Sequence, residues 1–345
     1  MPATQPFTLI GTVASPYTRK MIALLRYRRL DYRIVWGDPD PVLLERGLEK
    51  PTVGLLPTCI MTNSSGQAQV VCDSTPIIRR LELENAGRSV IPHDPVVAFL
   101  DYLLEDFADE WCTKYMFHYR WYPKVDADNA GTLLPFFHKV DLPIEVHEQF
   151  KPYVTDRQVG RLHVVGSNDD TAGMIDASYR RFLLALETHL VEQPFMLGHR
   201  PGASDFGIYG QLTQLIGFDP TPRAIAHELA PRVIAWSGLL EDQSGLEPEE
   251  SDWITSDNIP SSLTELLNEV GRVYVPALLA NAKALQGGAK TWEAQIDGGL
   301  WTQQTFSYQG KCLQWINSEY QSLCEADKKV VNDIFAGTGC EQILL

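Results

Sequence analysis

Three short stretches of this chain carry side chains whose types and spacing could do chemistry together. The first, Ser15-Pro16-Tyr17-Thr18 followed by Arg19 and Lys20, stands where an apolar run gives way to a helical pattern. Serine caps the free N–H groups of a helix start, and proline tolerates the first helical position because its missing N–H would be unpaired anyway. At the positive end of the helix dipole the same hydroxyl can donate a hydrogen bond to a bound thiolate. The second, Leu55-Leu56-Pro57-Thr58, opens a strand pattern at a position where proline costs no ladder bond. The third, Asp73-Ser74-Thr75-Pro76, follows a strand and begins a helix. Its free N–H groups and the Ser74 hydroxyl suit a carboxylate, while Asp73 suits an amine, as the amino-acid end of a γ-glutamyl peptide requires. Each stretch also reads as plain local structure, two capped helices and a strand-opening proline.

The elements that must position these residues follow from periodicity. Residues 7–12 and 31–36 read as strands, 16–29 and 41–48 as helices, and 57–62 and 67–72 as two strands joined by Asn63-Ser64-Ser65-Gly66, a strong hairpin signal. A capped amphipathic helix from Ser74 closes near Gly87. This β-α-β-α-β-β-α order is that of an α/β thioredoxin-like domain, residues 1–87. Beyond residues 84–95 the strand signals vanish, and helical patterns fill 96–122, 174–191, 203–216 and 221–240. We therefore expect an all-α domain over residues 95–240, with 126–170 an irregular insertion holding one helix. An acidic, turn-rich linker at 241–257 leads to a helical extension, 258–345, with patterns over 262–285, 302–323 and 325–335.

Composition narrows the possible partners. A formal net charge of −15 argues against nonspecific binding to nucleic acid or to anionic membranes, and no run of eighteen apolar residues occurs. The first seven residues show no leader pattern, so a cytoplasmic location is expected. Cys59, Cys72, Cys112, Cys312, Cys324 and Cys340 have neither C-x-x-C spacing nor clustered histidines, so reduced thiols and no metal are expected.

In order and spacing, S-P-Y-T-R-K, L-P-T and D-S-T-P-I-I-R-R-L resemble the glutathione transferase family. Residues 181–212 add a fourth match, in which Asp205 caps a core helix and Gly202 replaces the usual hydroxyl cap. The resemblance covers residues 7–240. It implies glutathione as co-substrate, Ser15 as partner of its thiolate, Leu56 before Pro57 as backbone contact to the cysteinyl unit, and Asp73 with Ser74 at the γ-glutamyl end. Tyr17 is the rival activating hydroxyl, Lys50 the candidate for the glycyl carboxylate, and Trp111, Tyr115 and Arg120 candidates for the second-substrate pocket. Redox relatives carry C-P-Y-C at the first site. Hydroxyls replace both sulfurs here, so dithiol–disulfide exchange through this motif is unavailable.

The function so implied is transfer of glutathione to a small electrophile by a homodimeric detoxification enzyme. The same site would serve a glutathione-dependent isomerase, dehalogenase or ether-cleaving enzyme. A different class, a non-catalytic interaction or ligand-carrier module, is equally compatible with a long extension. That extension is expected to pack on the helical domain and help close the second-substrate pocket, because its apolar periodicity needs a surface to cover.

Overall fold

The computed structural model of the chain describes residues 7–344. β1 (Phe7–Gly11) runs parallel to β2 (Tyr32–Trp36), with Phe7 opposite Tyr32 and Gly11 opposite Trp36. A parallel pair requires a crossover, which α1 (Pro16–Tyr27) supplies. α2 (Pro39–Glu45) follows, and β3 (Thr58–Thr62) then pairs antiparallel with β1 on one side and β4 (Ala68–Cys72) on the other, giving the order β2-β1-β3-β4. The turn between β3 and β4 forms as its residues dictate: Asn63 Oδ1 accepts from the N–H groups of Ser65 and Gln67, and Gly66 takes a φ of 78°. α3 (Ser74–Glu84) completes a thioredoxin-like α/β domain.

The second half is largely helical. α4 (Pro95–Phe107) passes through a π-helical turn (Ala108–Cys112) into α5 (Thr113–Trp121). Residues 126–170 are not the irregular insertion expected. They hold most of α6 (Lys124–His138), α7 (Ile144–Val159) and a 3-10 turn (Leu162–Val165). Pro135 and Pro152 lie inside these helices, and Ile144, Phe150 and Tyr153 stay exposed, so neither helix shows the one-sided pattern of a core-packed element. α8 (Ala172–Glu192) and α9 (Ala203–Leu215) are the central helices, followed by α10 (Pro220–Leu229) and α11 (Pro231–Leu240). Asp205 anchors α9 by accepting from Met196 N and Gly202 N at 2.9 and 2.8 Å. Gly210 lets α9 meet the first turn of α1: a Cβ there would sit 2.6 Å from the Pro16 carbonyl oxygen.

The extension comprises α12 (Ser261–Glu269), a π-helical turn (Val270–Tyr274), α13 (Val275–Gln286), α14 (Ser307–Ser322) and α15 (Glu325–Phe335). Where helix was expected to resume at residue 302, a hairpin stands instead, β5 (Thr291–Ile296) with β6 (Gly299–Gln304). Its turn is Asp297-Gly298, both at positive φ (51° and 79°), a sequence that favours two-residue hairpin turns. Trp292, Ile296 and Trp301 face inward. One continuous apolar cluster joins Leu9 in β1 to Ile343 near the end of the chain.

His118, on α5, shows what burial costs. Its Nδ1 lies 2.7 Å from Ser167 Oγ, its ring stacks on Tyr122, and burial lowers its pKa to about 4. A histidine kept neutral by the fold contributes stability that is present above its unfolded pKa of about 6.5 and drains as pH falls towards the folded value. Acidification from pH 7 to 4.5 should therefore cost roughly 2 to 3 kcal/mol through this residue. Urea unfolding of parent and His118→Gln at both pH values checks it; equal losses would clear His118 of the effect.

Candidate functional site

Ser15 caps α1 by accepting from Thr18 N at 3.2 Å, and Pro16 occupies the first helical position. The cap leaves the serine proton free to be donated. The hydroxyl borders a cavity of about 730 Å³ whose far wall is built from α5, α6 and α7, with Phe117, Trp121, Leu134, Phe150 and Tyr153 supplying apolar surface and Arg157 a cation. The supposed insertion is thus the wall of this chamber.

Asp73 and Ser74 line a second cavity, of about 400 Å³. Leu56, which precedes Pro57 through a cis peptide bond, belongs to both chambers. Asp73 is held at a φ of 83°, a region costly for any residue with a side chain, and such strain collects at ligand sites. Its carboxylate does not cap α3; Oδ2 accepts from the Tyr308 hydroxyl at 2.6 Å, and burial raises its pKa. The Ser74 hydroxyl accepts from Lys20 Nζ at 3.1 Å, which orients its own proton away from the ammonium. Lys20 is fully buried and also donates to Glu105 Oε1 at 2.7 Å and Asp109 Oδ2 at 2.5 Å. Burial alone would lower its pKa, but the carboxylates of Asp109 and Glu105 more than reverse this and hold it above the ordinary lysine value. Burial raises the Asp109 pKa to about 6 and that of Glu110, one residue on in the π-helical turn, to about 8.

The remaining residues singled out from sequence scatter. Tyr17 borders the smaller cavity, but its hydroxyl is already donated to the Asp109 carbonyl at 2.7 Å, and burial lifts its pKa well above that of free tyrosine. Lys50 is exposed, paired with Asp40 at 2.5 Å, and touches neither chamber. Arg120 does reach the larger chamber, yet its guanidinium is committed to Asp219, Gln214 and the Ala14 carbonyl, so it fixes the loop ahead of Ser15. Trp111 and Tyr115 line neither chamber; they are buried, and the indole donates to the Tyr115 hydroxyl at 3.0 Å.

Sequence reasoning missed Lys20, Glu105, Asp109, Glu110, Lys114 and Tyr308. A signal existed for the first three. Lys20 interrupts the apolar stripe of α1 between Tyr17 and Leu24, and Glu105 and Asp109 sit four apart on one helical face. Tyr308 had none, because only the fold brings the extension over Asp73. The extension therefore covers the Asp73–Ser74 chamber, through Gln303, Phe306, Ser307, Tyr308 and Gln309, rather than the larger one it was expected to close. A further hollow, about 930 Å³, lies at the far end of the sheet beside Arg29, Arg33 and Asn63 and holds none of the motif residues. Among the described residues no cluster of three or more His, Cys, Asp or Glu side chains is placed to hold a metal, and no helix is long and apolar enough to cross a membrane.

A search of curated proteins gives no match to the chain. Among solved structures, FzlA from C. crescentus aligns over 68% of this chain and 88% of its own at 16% identity and a TM-score of 0.40. The beta-etherase LigF from Sphingobium aligns over 68% and 95% at 19% identity and 0.40, and a glutathione transferase family member from Pseudomonas fluorescens with bound glutathione over 70% and 99% at 17% and 0.36. Likenesses at such scores carry no argument. Residues 9–89, however, match the model of the glutathione S-transferase N-terminal domain, the segment that holds β1 to α3 and Ser15, Leu56, Asp73 and Ser74. Residues 9–89 are therefore a domain of the glutathione S-transferase N-terminal type.

Proposed function

We propose that the chain binds glutathione across the two chambers and presents its thiolate to a small electrophile. The observation that carries this reading is the shared wall at Leu56: a chamber holding Asp73 and Ser74 meets, at that residue, a chamber holding Ser15. The γ-glutamyl end would lie at the start of α3, the cysteinyl backbone against Leu56, and the sulfur within reach of the Ser15 proton. The electrophile would occupy the larger chamber, whose aromatic wall and Arg157 suit a ring bearing an anionic or polar substituent. Ser15, not Tyr17, is the activating hydroxyl in this reading, since the Tyr17 proton is already engaged. The same reading takes the chain to be a cytoplasmic homodimer acting in detoxification.

The contribution of Ser15 is modest. A thiol of pKa about 8.5 is roughly 3% ionised at pH 7, and lowering it by about two units yields mostly thiolate, but nucleophilicity falls with basicity at a slope of about 0.4 to 0.5. A few-fold net gain remains, and the rest must come from holding the electrophile beside the sulfur. Ser15→Ala should therefore slow conjugation of an aryl halide a few-fold at pH 7, with Tyr17→Phe near the parent. The reverse ranking would transfer the role to Tyr17. Absence of any thermal stabilisation by about 10 mM glutathione would end the reading, because a ligand at about a hundred times its Kd stabilises by about 2.7 kcal/mol.

A second reading, a non-catalytic ligand carrier, draws support from Tyr308, whose hydroxyl already occupies one oxygen of Asp73. Glutathione binding without turnover across aryl halides, epoxides, haloalkanes and aryl ethers would favour it.

A further inference from the structure

Inside the smaller chamber stands a cation that the reading above leaves unused. Lys114, on α5, is 2% exposed and lines the same cavity as Asp73 and Ser74. Its ammonium donates to two neutral acceptors, Gln303 Oε1 at 2.9 Å and the Val165 carbonyl at 3.4 Å, and lies over the Trp111 and Trp301 rings at 5.5 and 5.8 Å. None of these carries a negative charge. Of the other cations, Lys20 is spent on Glu105 and Asp109, Arg120 on Asp219 and Lys50 on Asp40; Lys311 also lines this chamber, and Lys114 differs from it in being buried. Burial of an ammonium without a counter-charge is expensive, and the fold reinforces the expense by packing a 3-10 turn and a hairpin strand around it. Burial lowers its pKa to about 8, against a smaller opposing pull from Glu110, four residues earlier, whose own pKa burial raises to about 8.

We infer that Lys114 is a ligand-binding residue that pairs with the α-carboxylate of the γ-glutamyl end, opposite Asp73, which takes the α-ammonium. This rests on the glutathione reading. The choice of carboxylate follows from the cavity: Lys114 shares its chamber with Asp73 and Ser74 and is absent from the chamber of Ser15. The hairpin and α14, which lie outside the family's common pattern, then become part of the binding site, since Gln303 holds the ammonium in place and Tyr308 holds Asp73.

The test measures binding of glutathione, of its 4-aminobutyryl analogue lacking the α-carboxylate, and of its glycyl ethyl ester, to the parent and to Lys114→Met, by calorimetry. Methionine matches the lysine stem in volume, and Gln303 Oε1 keeps a donor in Trp301 Nε1 at 3.1 Å. The variant should therefore melt at or above the parent's temperature. The parent should prefer glutathione to the 4-aminobutyryl analogue at least tenfold, Lys114→Met should lose most of that preference, the remainder being the share of Ser74 and the α3 N–H groups, and its loss should be as large for the glycyl ester as for glutathione. A variant that keeps the parent's preference overturns the assignment, and so does a loss that disappears with the ester, which would place the lysine on the glycyl carboxylate. A variant melting well below the parent with unchanged preference would make Lys114 structural. If the parent binds no glutathione at all, the functional reading has failed and not this assignment alone.

Discussion

Lys20→Met should lower the stability of the folded chain by about 3 to 5 kcal/mol, the usual cost of removing one partner of a buried ion pair. The ammonium is fully buried and is the hydrogen-bonded counter-charge to both Glu105 and Asp109. Without it two carboxylates stand side by side out of water, helped by Thr75, whose hydroxyl lies 3.0 Å from Glu105 Oε1, and by the charge of Arg79. Replacing all three by Met, Gln and Asn should restore much of the loss, because a neutral set of similar shape avoids the desolvation of uncompensated charge. Glutathione affinity should fall in both variants, since Lys20 also orients the Ser74 hydroxyl. Chemical unfolding of parent, single and triple variants reads the first effect and calorimetry the second. A single variant as stable as the parent would mean that water or protonation already neutralises the cluster.

Truncation after Ser251 should leave no stable native protein. The extension does not sit on a finished domain; it completes the core. Phe99 of α4 packs on both Tyr320 and Phe335 with ring centroids 5.9 Å apart, Phe107 meets Tyr274 at 5.9 Å, and Trp111 meets Trp301 at 5.3 Å. Leu263, Leu267, Val270, Leu278, Ile316 and Phe335 are all fully buried. Each such side chain contributes about 1.5 to 3 kcal/mol through burial, and a typical domain has only about 5 to 15 kcal/mol in hand. Arg181 of α8 would also lose Glu269, its partner at 2.7 Å. The truncated chain should therefore aggregate or lose its near-ultraviolet circular dichroism. A monodisperse product with the parent's melting temperature would show the extension to be an independent module.

How much of this was legible in advance follows the range of the interactions involved. The thioredoxin-like half was readable because its signals are local: Ser15 and Pro16 at one helix start, Asn63 to Gly66 at one turn, alternation along short strands. The hairpin at Asp297-Gly298 was equally local and went unused: residues 286–301 carry no predicted element, and the next helical pattern begins at 302, inside β6. α6 and α7 failed for another reason. Several of their apolar residues, among them Leu134, Phe150 and Tyr153, line a chamber, while Ala127 and Ala130 pack in a small core cluster, and this split blurs the one-sided pattern by which amphipathic helices are recognised.

By itself the sequence determined the fold of the first domain and the order of three motifs, because caps, turns and periodicity are set within a few residues. It also determined that dithiol chemistry at Ser15 is closed, since an oxygen stands where a sulfur would be needed. Only the tertiary structure decided which charges are free. Trp111 and Tyr115 face the core, Arg120 and Lys50 are spent on carboxylates, and Lys114 is left facing a cavity with neutral partners. Tyr308 reaches Asp73 across 235 positions of chain. The availability of a charge depends on what lies within about 4 Å of it, and that is fixed by packing between distant segments, which no local pattern records.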